Sequence, residues 1–118
     1  MPEGSEMIFV ETELFSRNLI DIRVPDEAYR KFQIELILNP ARGDLIQGSG
    51  GCRKARMALP HRGKSGSARV WYLWLDSVSI IVLITGYTKS KTENLTDAQK
   101  AALKKIAKGL KDHYGCRT

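Results

Sequence analysis

The stretch "CRKARMALPHRGKSGSARVWYLWLDSVSIIVLITGY", residues 52–87, decides the fold. Its first eight residues alternate. Ala55, Met57 and Leu59 fall on one side of an extended chain, Lys54 and Arg56 on the other. "PHRGKSG" (60–66) is a turn cluster. "SARVWYLWLD" (67–76) is rich in aromatic and branched residues and reads as the return strand. "SIIVLITGY" (79–87) is an almost continuous apolar run with a β-branched bias, the pattern of an inner strand covered on both faces.

Upstream, "MIFVET" (7–12) reads as a short strand, and residues 1–6, small and polar, are expected to be loose. Thr12 is placed to cap a short helix through about Leu19, with Leu14, Phe15 and Leu19 on its apolar side. "VPDEAYRKFQIELILNP" (24–40) predicts a stronger helix. Pro25 opens it, Asp26 and Glu27 fall in the first turn, and Tyr29, Phe32, Leu36 and Ile37 share one face. "ARGDLIQGSGG" (41–51) is a Gly-rich connection; its "GSGG" neither follows a strand nor opens a helix, as a phosphate-cradling loop would. Downstream, "TDAQ" is a capping-box pattern starting a helix at about Thr96. Ala102, Leu103, Ile106, Leu110 and Tyr114 form its apolar stripe, and Lys100, Lys104, Lys105, Lys108 and Lys111 its solvated face. The predicted order is β-α-α-β-β-β-α: an α+β fold, one domain over residues 1–118, with N-terminal helices and a C-terminal helix packed on a small, mostly antiparallel sheet.

The net charge of +6 is not evenly spread. Residues 53–91 hold eight bases (Arg53, Lys54, Arg56, Arg62, Lys64, Arg69, Lys89 and Lys91) against the single acid Asp76, so this segment alone carries +7. A basic region on an otherwise balanced chain favours an acidic partner, nucleic acid first. Cys52 and Cys116 lack metal-type spacing and read as free thiols in a reducing cytoplasm. His61 and His113 have no Cys, Asp or Glu at ligand spacing, so no metal site and no cofactor are expected. No segment is long and apolar enough for a membrane span, and the N-terminus does not resemble a signal peptide. A cytoplasmic protein is expected.

The basic hairpin is where chemistry is expected. With a roughly symmetric turn, Arg69 lands near Arg56 across the strand pair. Like charges directly opposite destabilise a sheet, so an anion is the natural balance. The third strand ends in "GYTKSK", bringing Tyr87, Lys89 and Lys91 toward the same edge. Such a cluster suits metal-free cleavage of RNA through its own 2′-hydroxyl. Arginine forks grip phosphate oxygens, a lysine crowded by other cations gives up its proton more readily, and an aromatic ring holds a splayed base. Basic residues on an exposed hairpin are also common, so these residues alone leave a solvated surface, nucleic-acid binding and catalysis all open.

At these residues the sequence resembles a known family. "GDLIQGSGGCRKARMALPHRGKSGSARVWYLWLD" and "LITGYTKSKTENLTDAQKAAL" are similar to the RelE/ParE superfamily of bacterial type II toxins, in its HigB-like branch. The similarity takes in "YRKFQIELILNP" and covers roughly residues 7–110; G-D-x-I-x-G-x-G-G-x-R-K-x-R is its most specific run. The resemblance implies a ribosome-dependent endoribonuclease that cuts mRNA in the A site without metal. It leaves a cyclic phosphate and a 5′-hydroxyl, and inhibits translation. On this chain it implies Lys54, Arg56, Arg69 and Lys89 as catalytic residues, with Lys54 the favoured base and Lys89 a stabiliser or acid. Arg53, Arg62, Lys64, Tyr87 and Lys91 are then RNA contacts. The tyrosine that RelE ribonucleases carry further along has no counterpart, since Leu95 and Thr96 occupy that region. The implied partners are a helix-turn-helix antitoxin, ribosomal RNA and mRNA, with DNA met only through the antitoxin. A gyrase inhibitor of the ParE type and a non-catalytic RNA binder are the alternatives.

Overall fold

The computed structural model describes residues 6–60, 66–88 and 95–115. The expected loose segment (1–6) and Arg62, Lys64, Lys89, Lys91 and Cys116 lie outside these, Glu6 excepted. The described elements are β1 (Ile8–Glu11), α1 (Glu13–Ile22), α2 (Asp26–Leu38), β2 (Asp44–Leu45), β3 (Arg53–Ala58), β4 (Ser67–Leu75), β5 (Ile80–Tyr87) and α3 (Asp97–Tyr114). They form the expected α+β fold, a five-stranded sheet ordered β1-β5-β4-β3-β2 with helices on both faces. Only the β1–β5 pair is parallel. The connection 41–51 differs from expectation in carrying β2, two residues paired antiparallel to Lys54 and Arg53 of β3.

Alternation on the strands sorts side chains into two cores. On one face, Met57, Val70, Tyr72, Ile81 and Leu83 meet Phe15 of α1 and Phe32 and Leu36 of α2. On the other, Cys52, Leu73, Leu75, Val82 and Ile84 meet Leu103 and Ala107 of α3. All three helical faces differ from the sequence reading. Leu14, Ile37 and Ile106 are 46%, 44% and 48% exposed, while Ala28 and Ala107 turn inward. The helix caps follow the sequence: the Thr12 side chain accepts from Phe15 N–H, and Thr96 with Gln99 completes a capping box.

The Gly-rich connection is a built turn. Gly48, Gly50 and Gly51 have φ of 77°, 80° and 107°, a region that L side chains enter only with strain. Buried Ser49 donates to Ile46 C=O and accepts from Cys52 N–H. A β-carbon on Gly50 would come within 3.1 Å of Ala107, so the missing side chain lets α3 approach. Burial pushes the Cys52 thiol up to about 11. It stays protonated at neutral pH and is a poor nucleophile there.

Tyr72 locks the edge of the sheet. Its ring is fully buried, its hydroxyl donates to Pro40 C=O (2.7 Å), and it accepts from Gly43 N–H (3.0 Å). A β-carbon at Gly43 would sit 2.9 Å from that ring. Tyr72→Phe leaves the buried Gly43 N–H unpaired. We expect a loss of about 2 kcal/mol, read as a lower urea midpoint at unchanged slope. An unchanged midpoint would contradict this role for the hydroxyl.

Candidate nucleic-acid interface

The candidate surface begins with the parity of β3. Ala55 and Met57 point into the α1/α2 core, so Lys54 and Arg56 project from the opposite face, the one α3 packs on. Helix α3 packs on Leu73, Leu75, Val82 and Ile84. Among the described residues, none of the helices covers the part of that face formed by β3 and the start of β4: Arg56 is exposed, and Lys54, Arg69 and Trp71 are half-buried.

The register then brings the cations together. Arg56 is the direct partner of Arg69, and Arg69 is in turn the partner of Tyr87. One row along, Lys54 lies between Asp44 of β2 and Trp71 of β4. Arg69 Nη1 donates to Ser67 Oγ at 3.1 Å. Neither ion pair found among the described residues, Arg42–Glu35 and Lys108–Asp112, involves these cations. Like charges directly opposite one another are destabilising in a sheet. An anion held between the two guanidinium groups reverses that sign.

A β-bulge sets the aromatic edge of this surface. Tyr72 pairs with Leu83 but Trp71 pairs with Thr85, so Ile84 is an extra residue. Helix α1 and its cap take up the local backbone groups. Thr12 Oγ1 donates to Ile84 C=O (2.7 Å) and Asn18 Oδ1 accepts from Gly86 N–H (2.9 Å). The bulge reverses the parity of β5. Gly86 faces Phe15 on the α1 side, and Tyr87 arrives beside Trp71 on the open face. The two rings meet edge to face at 6.0 Å, and Trp71 Nε1 donates to the Tyr87 hydroxyl at 3.1 Å.

Arg53 stands apart from this group. It lies on the other pleat of β3, and its Nη1 donates to the carbonyls of Gly43 (2.8 Å) and Ala41 (3.2 Å). Its charge is engaged with the connection leading into β2. Trp71 and Asp44 were not singled out in the sequence. Trp71 carried a usable signal, since it follows Arg69 by two positions in a strand and shares its face. Asp44 carried none, because a two-residue strand has no periodicity. Among the described residues no group of three or more His, Cys, Asp or Glu is placed to hold a metal ion, and no described helix is long and apolar enough to cross a membrane.

Comparison with known proteins adds an independent line. A family model described as RelE toxin of the RelE / RelB toxin-antitoxin system matches residues 8–115. Among solved structures, a mutant of the E. coli toxin RelE in the free state superposes with a TM-score of 0.50 at 16% identity. The match covers 74% of this chain and 86% of that one. The isolated E. coli RelE toxin gives 0.49 at 19% identity, over 86% and 99%. At 16% identity the first superposition speaks to the fold alone, and the family model speaks to the family.

Proposed function

The chain belongs to the RelE toxin family of toxin–antitoxin systems, and we propose that it acts as a ribosome-dependent endoribonuclease of the HigB-like branch, cutting mRNA in the A site. The observation that carries this reading is the direct pairing of Arg56 with Arg69 on an open face, with Lys54 two residues along and no described carboxylate in an ion pair with them. A gyrase inhibitor has no evident need for opposed arginines; a scissile phosphate does.

The chemistry follows from that geometry. Arg56 and Arg69 donate to the non-bridging oxygens of the scissile phosphate and stabilise the charge of the pentacoordinate transition state. Lys54 takes the proton of the 2′-hydroxyl as O2′ attacks phosphorus. The P–O5′ bond breaks, O5′ takes a proton, and the products are a 2′,3′-cyclic phosphate and a 5′-hydroxyl. Lys89, outside the described residues, is proposed as the donor of that proton or as a further stabiliser. Tyr87, beside Arg69 in register, is proposed to touch the neighbouring nucleotide. Arg62, Lys64 and Lys91 are proposed contacts to ribosomal RNA or message. The all-cation set itself asks for no metal. A helix-turn-helix antitoxin covering the basic face would hold the toxin silent, and DNA would be met only through it.

Purified protein, stripped of bound metal with chelator and then freed of the chelator, is expected to cut mRNA on programmed ribosomes and to cut the same RNA little when naked. The products should carry the ends just named. Robust cleavage of naked RNA, or loss of cleavage on intact ribosomes once the protein is stripped of bound metal, would overturn the mechanism. DNA double-strand breaks without RNA cleavage would point to a gyrase poison.

A further inference from the structure

Beside the proposed phosphate site lies a cavity of about 270 Å³ between β2, the start of β3, the middle of β4 and the first turn of α3. Asp44, Gln47, Lys54, Trp71, Leu95 and Lys100 contribute to its wall. Lys54 belongs to both places: it lines the cavity, and it shares the open face of β3 with Arg56 two residues on. Trp71 and Leu95 also line a second, more apolar cleft against α3. The indole N–H is committed to the Tyr87 hydroxyl. What the cavity receives from Trp71 is therefore apolar ring surface.

We propose that this cavity seats one nucleobase of the RNA, the base next to the phosphate held by Arg56 and Arg69, and that Asp44 selects a base bearing an exocyclic amine over uracil. The inference rests on the ribonuclease reading and deepens it. The cavity is large enough for one base, and it opens beside the cations that would hold the attached phosphate. A wall of indole surface with a polar rim is the chemistry that stacks and reads a base. The rim holds one exposed carboxylate with two lysines. A carboxylate accepts from the amino groups of adenine, cytosine or guanine. Uracil offers it one N–H flanked by two carbonyl oxygens, which repel it. Asp44 is in no ion pair among the described residues, although Lys54 is its register partner. Its carboxylate is therefore available to a ligand.

The test is binding rather than cleavage, so that it is separable from the reading beneath it. The probes are 3′-AMP, 3′-CMP, 3′-GMP and 3′-UMP, with inorganic phosphate as control. The readout is the indole N–H resonance of Trp71, told from that of Trp74 by a Trp74→Phe variant. The three amine-bearing nucleotides should move the Trp71 signal with Kd at least about fivefold below that of 3′-UMP. Phosphate alone should leave it in place. Asp44→Asn, an exposed change on an edge strand, should bring the four Kd values within about twofold of one another. A Trp71 signal unmoved by every nucleotide, or equal affinity for 3′-UMP in the unmodified protein, overturns the proposal. A protein that shows these shifts yet cuts no mRNA on ribosomes leaves the base site standing and defeats only the nuclease reading.

Discussion

Arg69→Ala is expected to lower cleavage of ribosome-bound mRNA by ~10²–10³-fold or more and to abolish growth arrest, while the protein stays folded. The two halves of this expectation have separate causes. Arg69 is the cation with another cation opposite it in register and an aromatic ring on its far side. On the proposed mechanism, removing it takes a fork of donors from the phosphate and leaves Arg56 alone. In the free protein the same change removes a destabilising like-charge opposition. That offsets the lost hydrogen bond to Ser67. The thermal midpoint should therefore hold within a few degrees. Arg69→Lys should recover only part of the activity, since an ammonium is a point charge without the planar fork. Full toxicity of Arg69→Ala at equal expression would remove the phosphate site from this face.

Lys54→Ala is expected to cost ~10²–10⁴-fold in the cleavage step. Lys54→Arg should not restore it, because a guanidinium keeps its proton. A substrate with sulfur in place of the bridging 5′-oxygen makes the test specific. Its thiolate leaves without needing a proton, so it rescues loss of a general acid but not loss of a general base. Lys54→Ala should stay slow on the sulfur substrate, whereas Lys89→Ala should recover if Lys89 supplies the proton. Rescue of Lys54→Ala would exchange the roles of the two lysines.

How much of this was legible in the sequence depends on the length over which each signal repeats. Alternation along 52–59 was enough to put Lys54 and Arg56 on one face, and a symmetric turn was enough to bring Arg56 opposite Arg69. The helix starts at Thr12 and Thr96 were legible because a cap is a local hydrogen bond. Strand β2 was hidden, being too short for a period, and with it Asp44. The place of Tyr87 relative to Trp71 was hidden for another reason. One bulge residue, Ile84, reverses the parity of β5, and the groups that take up the backbone at Ile84 and Gly86, Thr12 and Asn18, lie some seventy positions away in the chain. The run G-D-x-I-x-G-x-G-G also takes on a physical meaning from the structure. Gly43 makes room for Tyr72, and Gly48, Gly50 and Gly51 supply the backbone angles and clearance under α3. That half of the run builds the fold, and the cations that follow it face the open surface.

The central claim is that the opposed arginines serve cleavage of translated message. The most direct measurement maps the 5′ ends of cellular mRNA after a short pulse of expression, with Arg69→Ala as the paired control. The account predicts new 5′-hydroxyl ends inside translated regions, in register with the reading frame, and their absence in the variant. Ends without frame periodicity, ends that persist in Arg69→Ala, or no new ends during growth arrest would contradict it.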